Sequence, residues 1–426
     1  MKRFIYLLST RPDIMGSKDE ALGLHGTFVP NKSQSIHRWY PYVEGFSNEF
    51  VSSLLNEFAI KGQTVYDPFA GTGTTVCVAQ NLGMKSVYSE INPFMRLVIE
   101  AKTNHANNVI TDIESMSEYF ERVTSHATSH PISQKSAIQL QTKAFGKSEI
   151  FSGKDLIEII SIKESLAELN PDNESFKAIA DMALGSIAVG SSNMIRRADL
   201  RKRKAKEFNL PNYSVIDCFK EKLNQILNDL RELTITKEDF RPKLLGNSAL
   251  VSHGEDMVDV VLTSPPYVNG TNYFRNTKIE LWLTGFIQST NDLRDLRDKA
   301  MAAGINSVSK RGRAASKIKS VEDIATKIDA IVVENGKDKR VPELIRRYFS
   351  DTILWLENSY RLLKEGGKII VDIGDSYFYN IHVPADRLLL EIAESVGFRH
   401  IETRYVRDRH SNNGKPLKQV LHIMSK

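Results

Sequence analysis

Cysteine is scarce. Cys77 and Cys218 are the two in 426 residues, and neither has the spacing of a metal-ligand set, so neither a disulfide framework nor a cysteine metal site is expected. Both lie in apolar helical patterns and read as buried core thiols of a reducing compartment. No run of about 18 apolar residues occurs, so no membrane span is expected. The opening "MKRFIYLLSTRPD" has a basic start, but its apolar run from Phe4 to Leu8 stops at polar residues and Pro12, too short for the central region of a signal peptide. These absences lead to the expectation of a cytoplasmic protein with no metal.

What is present is an ordinary globular composition, 41% hydrophobic and 26% charged, long enough for one large domain plus a substantial insertion or second domain. Four short, β-rich stretches bounded by turn residues read as buried parallel strands: "QTVYDP" near residue 65, "KSVYSE" near 87, "VDVVLTSP" near 261 and "GKIIVDIG" near 370. Helical patterns lie between them: "TTVCVAQNLG" stops at Gly83, and "DTILWLENSYRLLKEGG" stops at a Gly-Gly pair. Alternating strand and helix predicts an α/β fold with a doubly wound, Rossmann-like and mostly parallel sheet, whose ligands lie outside the carboxyl ends of the strands. Two alternating segments around Asn413-Gly414 predict an antiparallel hairpin at the C-terminal end of this pattern.

Two regions break the alternation. Residues 105–240 carry helical periodicity with no clear strand, and residues 286–345 are polar, charged and alanine-rich. Both read as insertions into one α/β domain formed by residues 30–104 and 241–426.

"VYDPFAGTGTT" joins the first strand to its helix. Gly71-Thr72-Gly73 permits a tight turn and a close backbone approach to a ligand. The full dinucleotide spacing is missing, as is the lysine of a phosphate-cradling loop, so a polyphosphate ligand is disfavoured. Asp67 at the strand end repels phosphate and attracts an ammonium group. Glu90, about 20 residues on and ending the next strand, suits the two ribose hydroxyls of an adenosine. A nucleoside bearing an amino acid and no phosphate describes S-adenosylmethionine, with Asp67, Pro68, Phe69, Ala70, Gly71, Thr72, Gly73, Thr74 and Glu90 as the expected cofactor residues.

The third strand ends in "TSPPY". Two prolines cannot continue a hydrogen-bonded ladder, so the backbone at Ser264-Pro265-Pro266 is stiff and its carbonyls are free for another use. A peptide-recognition segment would seldom follow a fully apolar strand.

The combination of "DPFAGTG" and "TSPPY" resembles the amino-group methyltransferases that act on DNA, and the serine form is most similar to their cytosine-N4 branch. "HRWYPYVEGFSNEFVSSLL" resembles the segment that completes the family's methionine pocket, and "LLKEGGKIIVDIGDS" resembles its later strand. Asn247-Ser248 departs from the pattern, standing where an acidic residue contacting adenine is expected.

The resemblance implies that Ser264, Pro265, Pro266 and Tyr267 are the catalytic residues. Chemistry agrees: an exocyclic amine conjugated to a base ring is a poor nucleophile and must be held in line with the sulfonium methyl. The Ser264 hydroxyl and Pro265 carbonyl suit that amine, and Tyr267 suits stacking on a base swung out of the duplex. Carbon-5 methylation is disfavoured, because neither cysteine follows a strand in a proline-flanked loop.

DNA binding needs cations on phosphates. "RRADLRKRKAKE" carries seven basic residues against two acidic ones, a local +5 that equals the net charge of the whole chain. Arg196, Arg197, Arg201, Lys202, Arg203 and Lys204 are its candidate contacts, and Lys310, Arg311 and Arg313 form a second cluster. Residues 105–240 are the first candidate for target recognition, with 286–345 a second DNA-contacting segment. The resulting expectation is an S-adenosylmethionine-dependent, site-specific methyltransferase acting on cytosine N4 in double-stranded DNA, paired functionally with a restriction endonuclease. Adenine-N6 transfer, RNA methylation and a non-catalytic specificity subunit stay open at this point.

Overall fold

The computed structural model describes residues 26–42, 45–196, 199–208, 214–268, 273–308, 318–411 and 414–426. Its strands are β1 (Thr64–Asp67), β2 (Lys85–Ser89), β3 (Met194–Arg196), β4 (Leu200–Lys202), β5 (Lys243–Gly246), β6 (Val258–Thr263), β7 (Leu363–Gly374), β8 (Ser376–Phe378), β9 (Ile381–Val383), β10 (Arg399–His410) and β11 (Pro416–Ser425). Seven of them form one sheet in the order β10-β11-β7-β6-β1-β2-β5. β5, β2, β1, β6 and β7 pair in parallel, and β11 pairs antiparallel with both β7 and β10. The four expected core strands and the C-terminal hairpin are therefore present, with Asn413 of its turn outside the described residues. β5 is an edge strand that the sequence concealed: "KLLG" is exposed or half-buried throughout and has no apolar alternation.

The order reverses between β1 and β6. From β1 the chain works outward through β2 to β5, then returns to the other side of β1 as β6. Such a reversal opens a crevice at the carboxyl ends of the two central strands. β1 ends there in Asp67 and β6 in Thr263.

Period-2 alternation sends successive side chains to opposite faces. Val65, Val260, Leu262 and Ile370 pack toward the helices Asn48–Phe58 and Thr74–Asn81. Tyr66, Val261, Ile369 and Val371 pack toward Arg340–Leu362 and Ala385–Val396. The sheet is doubly wound in this sense. The Asn48–Phe58 helix starts where the Ser47 hydroxyl accepts the Phe50 amide at 3.1 Å, a side-chain N-cap.

The helical region holds Ile113–Ser129, Gln134–Phe145, Gly153–Glu168, Glu174–Ala188 and Val215–Arg231. These enclose their own core, shared with Trp39, Tyr40 and Phe94 of the α/β body. Buried Asp229 fastens the last helix to the upstream segment, accepting the Ile36 amide at 3.2 Å, Arg38 Nε at 3.1 Å and Trp39 Nε1 at 2.8 Å. Cys77 is buried as expected, whereas Cys218, on the Val215–Arg231 helix, is only partly covered. The polar stretch near 286–345 hides an apolar stripe. Val321, Ala325, Ile328 and Val332 of the Lys319–Asn335 helix are buried, and this helix packs on Arg340–Leu362. Among the described residues no helix is long and apolar enough to cross a membrane.

Candidate active site

A cavity of about 810 Å³ opens at the reversal point, lined by the glycine loop on one side and by Ser264, Pro265, Pro266 and Tyr267 on another. β1 and β6 are neighbours, so two segments almost 200 residues apart in sequence begin side by side. Of the expected cofactor residues, Gly73 alone does not line the cavity. It is the N-cap of the Thr74–Asn81 helix, with φ +80°, and a Cβ placed there would lie 2.8 Å from Ile99 Cγ1.

Two carboxyl groups form the cavity floor. Asp67 Oδ1 accepts the Phe69 amide at 3.0 Å and the Thr263 hydroxyl at 2.8 Å. Burial pushes this carboxyl up to about 6, against the opposing pull of its hydrogen bonds. Glu90 accepts the Gly71 amide at 2.8 Å and the Asn92 amide at 2.7 Å, and burial pushes it up to about 7. Each carboxylate oxygen has a second lone pair, so both groups retain capacity for ligand hydroxyl or ammonium donors. Buried anions rimmed by apolar walls suit a cationic nucleoside and repel a phosphate. These acceptors therefore fit the hydroxyl and ammonium donors of S-adenosylmethionine, which Asp67 and Glu90 could hold.

Two further features shape this half of the cavity. The ring of Tyr42 covers the glycine loop, 3.6 Å from where a Cβ on Gly71 would sit, and Tyr40 and Phe46 complete the wall. From beneath, buried Lys102 donates to the Thr72 carbonyl at 3.1 Å, and burial lowers its ammonium to about 8. Nothing in the sequence pattern singled out Lys102, which is delivered by a π-helical turn, Ala101–His105. Asn247 is bonded to Arg96, while Ser248 lines the cavity with Ala249 and Leu250, so this corner carries no acidic contact.

The Ser-Pro-Pro-Tyr turn leaves the sheet at Thr263, the last residue of β6 in register with β7. The Ser376 hydroxyl holds it from the far side, donating to the Val268 carbonyl at 2.8 Å. The Tyr267 hydroxyl is hydrogen-bonded to both Ser264 and Asp372, and burial drives its pKa well above the ordinary tyrosine value. Asp372, on β7, accepts Gln419 Nε2 at 2.8 Å on both oxygens and is pushed up to about 6 by burial. The Arg409 guanidinium lies over the Tyr267 ring, 4.9 Å from its centroid. Serine and tyrosine of the turn are thus held by each other and by β7.

The basic cluster departs from expectation. Within a region read as helical with no clear strand, it is a β3–β4 hairpin followed by a short 3-10 turn. Arg196 is no phosphate ligand on a surface. Its side chain is buried against Glu280, donates to the Asn276 carbonyl at 3.1 and 2.8 Å, and lies 5.9 Å from the Tyr40 ring centroid. Glu280 is fully buried and also accepts the Tyr40 hydroxyl at 2.9 Å, so the charge that looked available in sequence neutralises an internal carboxylate. Arg201 is paired with Glu207 at 2.8 and 2.7 Å, and Arg203 donates to the carbonyls of Ser192, Glu207, Val189 and Gly190. Lys202 and Lys204 are exposed. Arg197, Lys310, Arg311 and Arg313 lie outside the described residues. After the catalytic turn, Asn276 lines the cavity, while Arg275 is exposed and paired with Asp199 at 2.9 Å.

Comparison with known proteins agrees with this site. Residues 26–101, which carry the Tyr40–Phe46 wall, the glycine loop and Glu90, match the family described as DNA methylase, of the N6/N4 type. The chain is 25% identical over 443 aligned residues to the Type II methyltransferase M.BsoBI of Geobacillus stearothermophilus, covering 92% of this chain and 84% of that protein. To the Type II methyltransferase M.AvaI of Nostoc sp. it is 24% identical over 401 residues, covering 87% and 81%. A shorter segment of 57 residues, 13% of this chain, is 44% identical to M.MjaI of Methanocaldococcus jannaschii, covering 19% of that protein. Taken with a glycine loop and a Ser-Pro-Pro-Tyr turn that share one cavity, these matches bear out the resemblance to the DNA amino-methyltransferases, and with it S-adenosylmethionine as the cofactor.

Proposed function

We propose that the protein transfers a methyl group from S-adenosylmethionine to the exocyclic N4 amine of cytosine, within a recognition sequence of duplex DNA, and that it protects that sequence from a cognate restriction endonuclease. One observation carries the reading: the Ser264–Tyr267 turn and the Asp67–Glu90 floor line one cavity, so an amine held by the turn faces a methyl held by the loop. The full-length similarity to Type II methyltransferases supports the DNA substrate and the restriction-modification setting. Serine at the first position of the turn supports cytosine over adenine.

When bound, the cofactor supplies an electrophilic methyl group on a sulfonium. The chain's own part is positional. The Ser264 hydroxyl and the Pro265 carbonyl accept hydrogen bonds from the target amine and turn its lone pair out of conjugation. Prolines fix those acceptors before substrate arrives, so little entropy is lost on binding. Tyr267 braces the turn through Ser264 and Asp372 and offers ring surface to a base extruded from the helix. We assign target recognition to the helical region 105–240, whose Arg196 lines the cavity together with Tyr40.

The test is to incubate the protein with mixed-sequence duplex DNA and labelled S-adenosylmethionine, digest to nucleosides and identify the methylated species by mass spectrometry. N4-methylcytosine is expected. N6-methyladenine would keep the mechanism and correct the base, whereas label on RNA alone, or on nothing, would overturn the reading. In Tyr267→Ala, turnover should be lost with cofactor affinity largely retained.

A further inference from the structure

β10 carries Arg407 and Arg409 two residues apart, so both side chains leave the same face of the strand, and both line the cavity beside the catalytic turn. One carboxylate serves the pair. Arg407 Nε donates to Gln419 Oε1 at 2.7 Å, and Gln419 in turn donates to Asp372, which also holds the Tyr267 hydroxyl. Arg409 lies on the Tyr267 ring, and its Nη1 is buried with no hydrogen-bond partner among the described residues. Two cations face one shared acid. Burial, and the repulsion of Arg409, hold the Arg407 guanidinium below its ordinary value, against the opposing pull of Tyr267 and Asp372.

A buried guanidinium nitrogen without an acceptor is costly, and the missing partner is an anion. The planar fork of arginine matches the two free oxygens of a phosphodiester. The site stands next to Tyr267, in the cavity that Ser264–Tyr267 line. We propose that Arg407 and Arg409 clamp the backbone phosphate of the nucleotide whose base enters the cavity, a DNA contact separate from both basic clusters evident in the sequence. The inference rests on the DNA reading proposed above.

The test compares wild type with Arg409→Gln, which keeps side-chain bulk and loses charge, and Arg409→Lys, which keeps charge. Binding of labelled mixed-sequence single-stranded and duplex oligonucleotides is followed by fluorescence anisotropy across a salt series, with circular dichroism to confirm folding. Each phosphate contact contributes roughly 0.7–0.9 to the slope of log affinity against log salt. The Gln variant should lose about that much slope and bind roughly tenfold more weakly at low salt, and the Lys variant should recover most of both. An unchanged slope in folded Arg409→Gln would overturn the clamp, as would weakened cofactor binding with DNA binding intact. So would a Lys variant as weak as Gln, which would assign Arg409 to ring packing alone. The assay needs no turnover: DNA binding with the expected slopes but no methylation would sink the proposed function and leave the clamp standing. Methylation with an unaltered slope in Arg409→Gln would do the reverse.

Discussion

The Thr263 hydroxyl donates to Asp67 Oδ1 at 2.8 Å, joining the last residue of the strand that leads into the Ser-Pro-Pro-Tyr turn to the carboxylate that begins the glycine loop. Both residues are buried, so the bond is shielded from water and fixes the spacing of the two halves of the site. Thr263→Val keeps the shape and removes the donor. A buried acceptor left short of a partner costs about 1–3 kcal/mol, and the expected result is weaker cofactor binding together with a lower turnover number. Titration calorimetry with the cofactor, beside single-turnover methyl transfer, checks it; a loss in one quantity alone would show that the bond does not couple them.

Gly73 combines a left-handed φ of +80° with a Cβ position 2.8 Å from Ile99. Gly73→Asp is expected to abolish cofactor binding, since it strains the loop and adds charge beneath it. Equilibrium dialysis on a variant shown to be folded is the measurement, and affinity equal to wild type would contradict the account.

Glu90 gives the site a pH dependence. Its folded value, about 7, is raised above the ordinary 4.5 by burial, so the empty folded state holds a proton that the unfolded chain has released. The stabilisation from that proton is complete below about 4.5 and is lost as pH rises through about 7. Cofactor binding runs the other way, because ribose hydroxyls donate best to the ionised carboxylate. Affinity should tighten from pH 6 toward pH 8, with proton release of roughly the fraction of Glu90 protonated at each pH, and Glu90→Gln should flatten the curve. Calorimetry in buffers of different ionisation enthalpy measures both.

Arg196 is internal, so its loss should register as instability before it registers as weaker DNA binding. Removing one partner of a buried ion pair costs about 3–5 kcal/mol, and Arg196→Ala leaves Glu280 buried without its counter-charge. Urea denaturation is expected to show a loss of unfolding free energy of that size, read as a lower midpoint at unchanged slope. A variant of normal stability with impaired DNA affinity would instead return Arg196 to the surface role that its neighbours in sequence suggest.

The parts of the fold legible in sequence were those whose local pattern and tertiary role coincide. Val65, Val260 and Ile370 sit in β-rich runs because both faces of the sheet are covered, and Gly71, Gly73 and the prolines mark turns that other residues cannot make. β5 was hidden because an edge strand needs no apolar alternation. The pairing of Arg196 and Arg201 was not legible because composition reports charge but not its partner, and here the partners, Glu280 and Glu207, lie 84 and 6 residues away. Arg407 and Arg409 carried a weak signal, the two-residue spacing in "RYVRDRH", but its meaning depends on Asp372, which reaches them only through the pairing of β7, β11 and β10.

Asp229 gives the helical region a practical property. One carboxylate at the end of the Val215–Arg231 helix gathers the Ile36 amide, Arg38 and the Trp39 indole, and these belong to the stretch that leads directly into the cofactor wall at Tyr40 and Tyr42. The helices are not a detachable cassette. A chimera that grafts the corresponding helices of a relative onto this scaffold must transplant residues 36–40 with them, or leave an orphaned acid at the seam and a cofactor wall without its anchor.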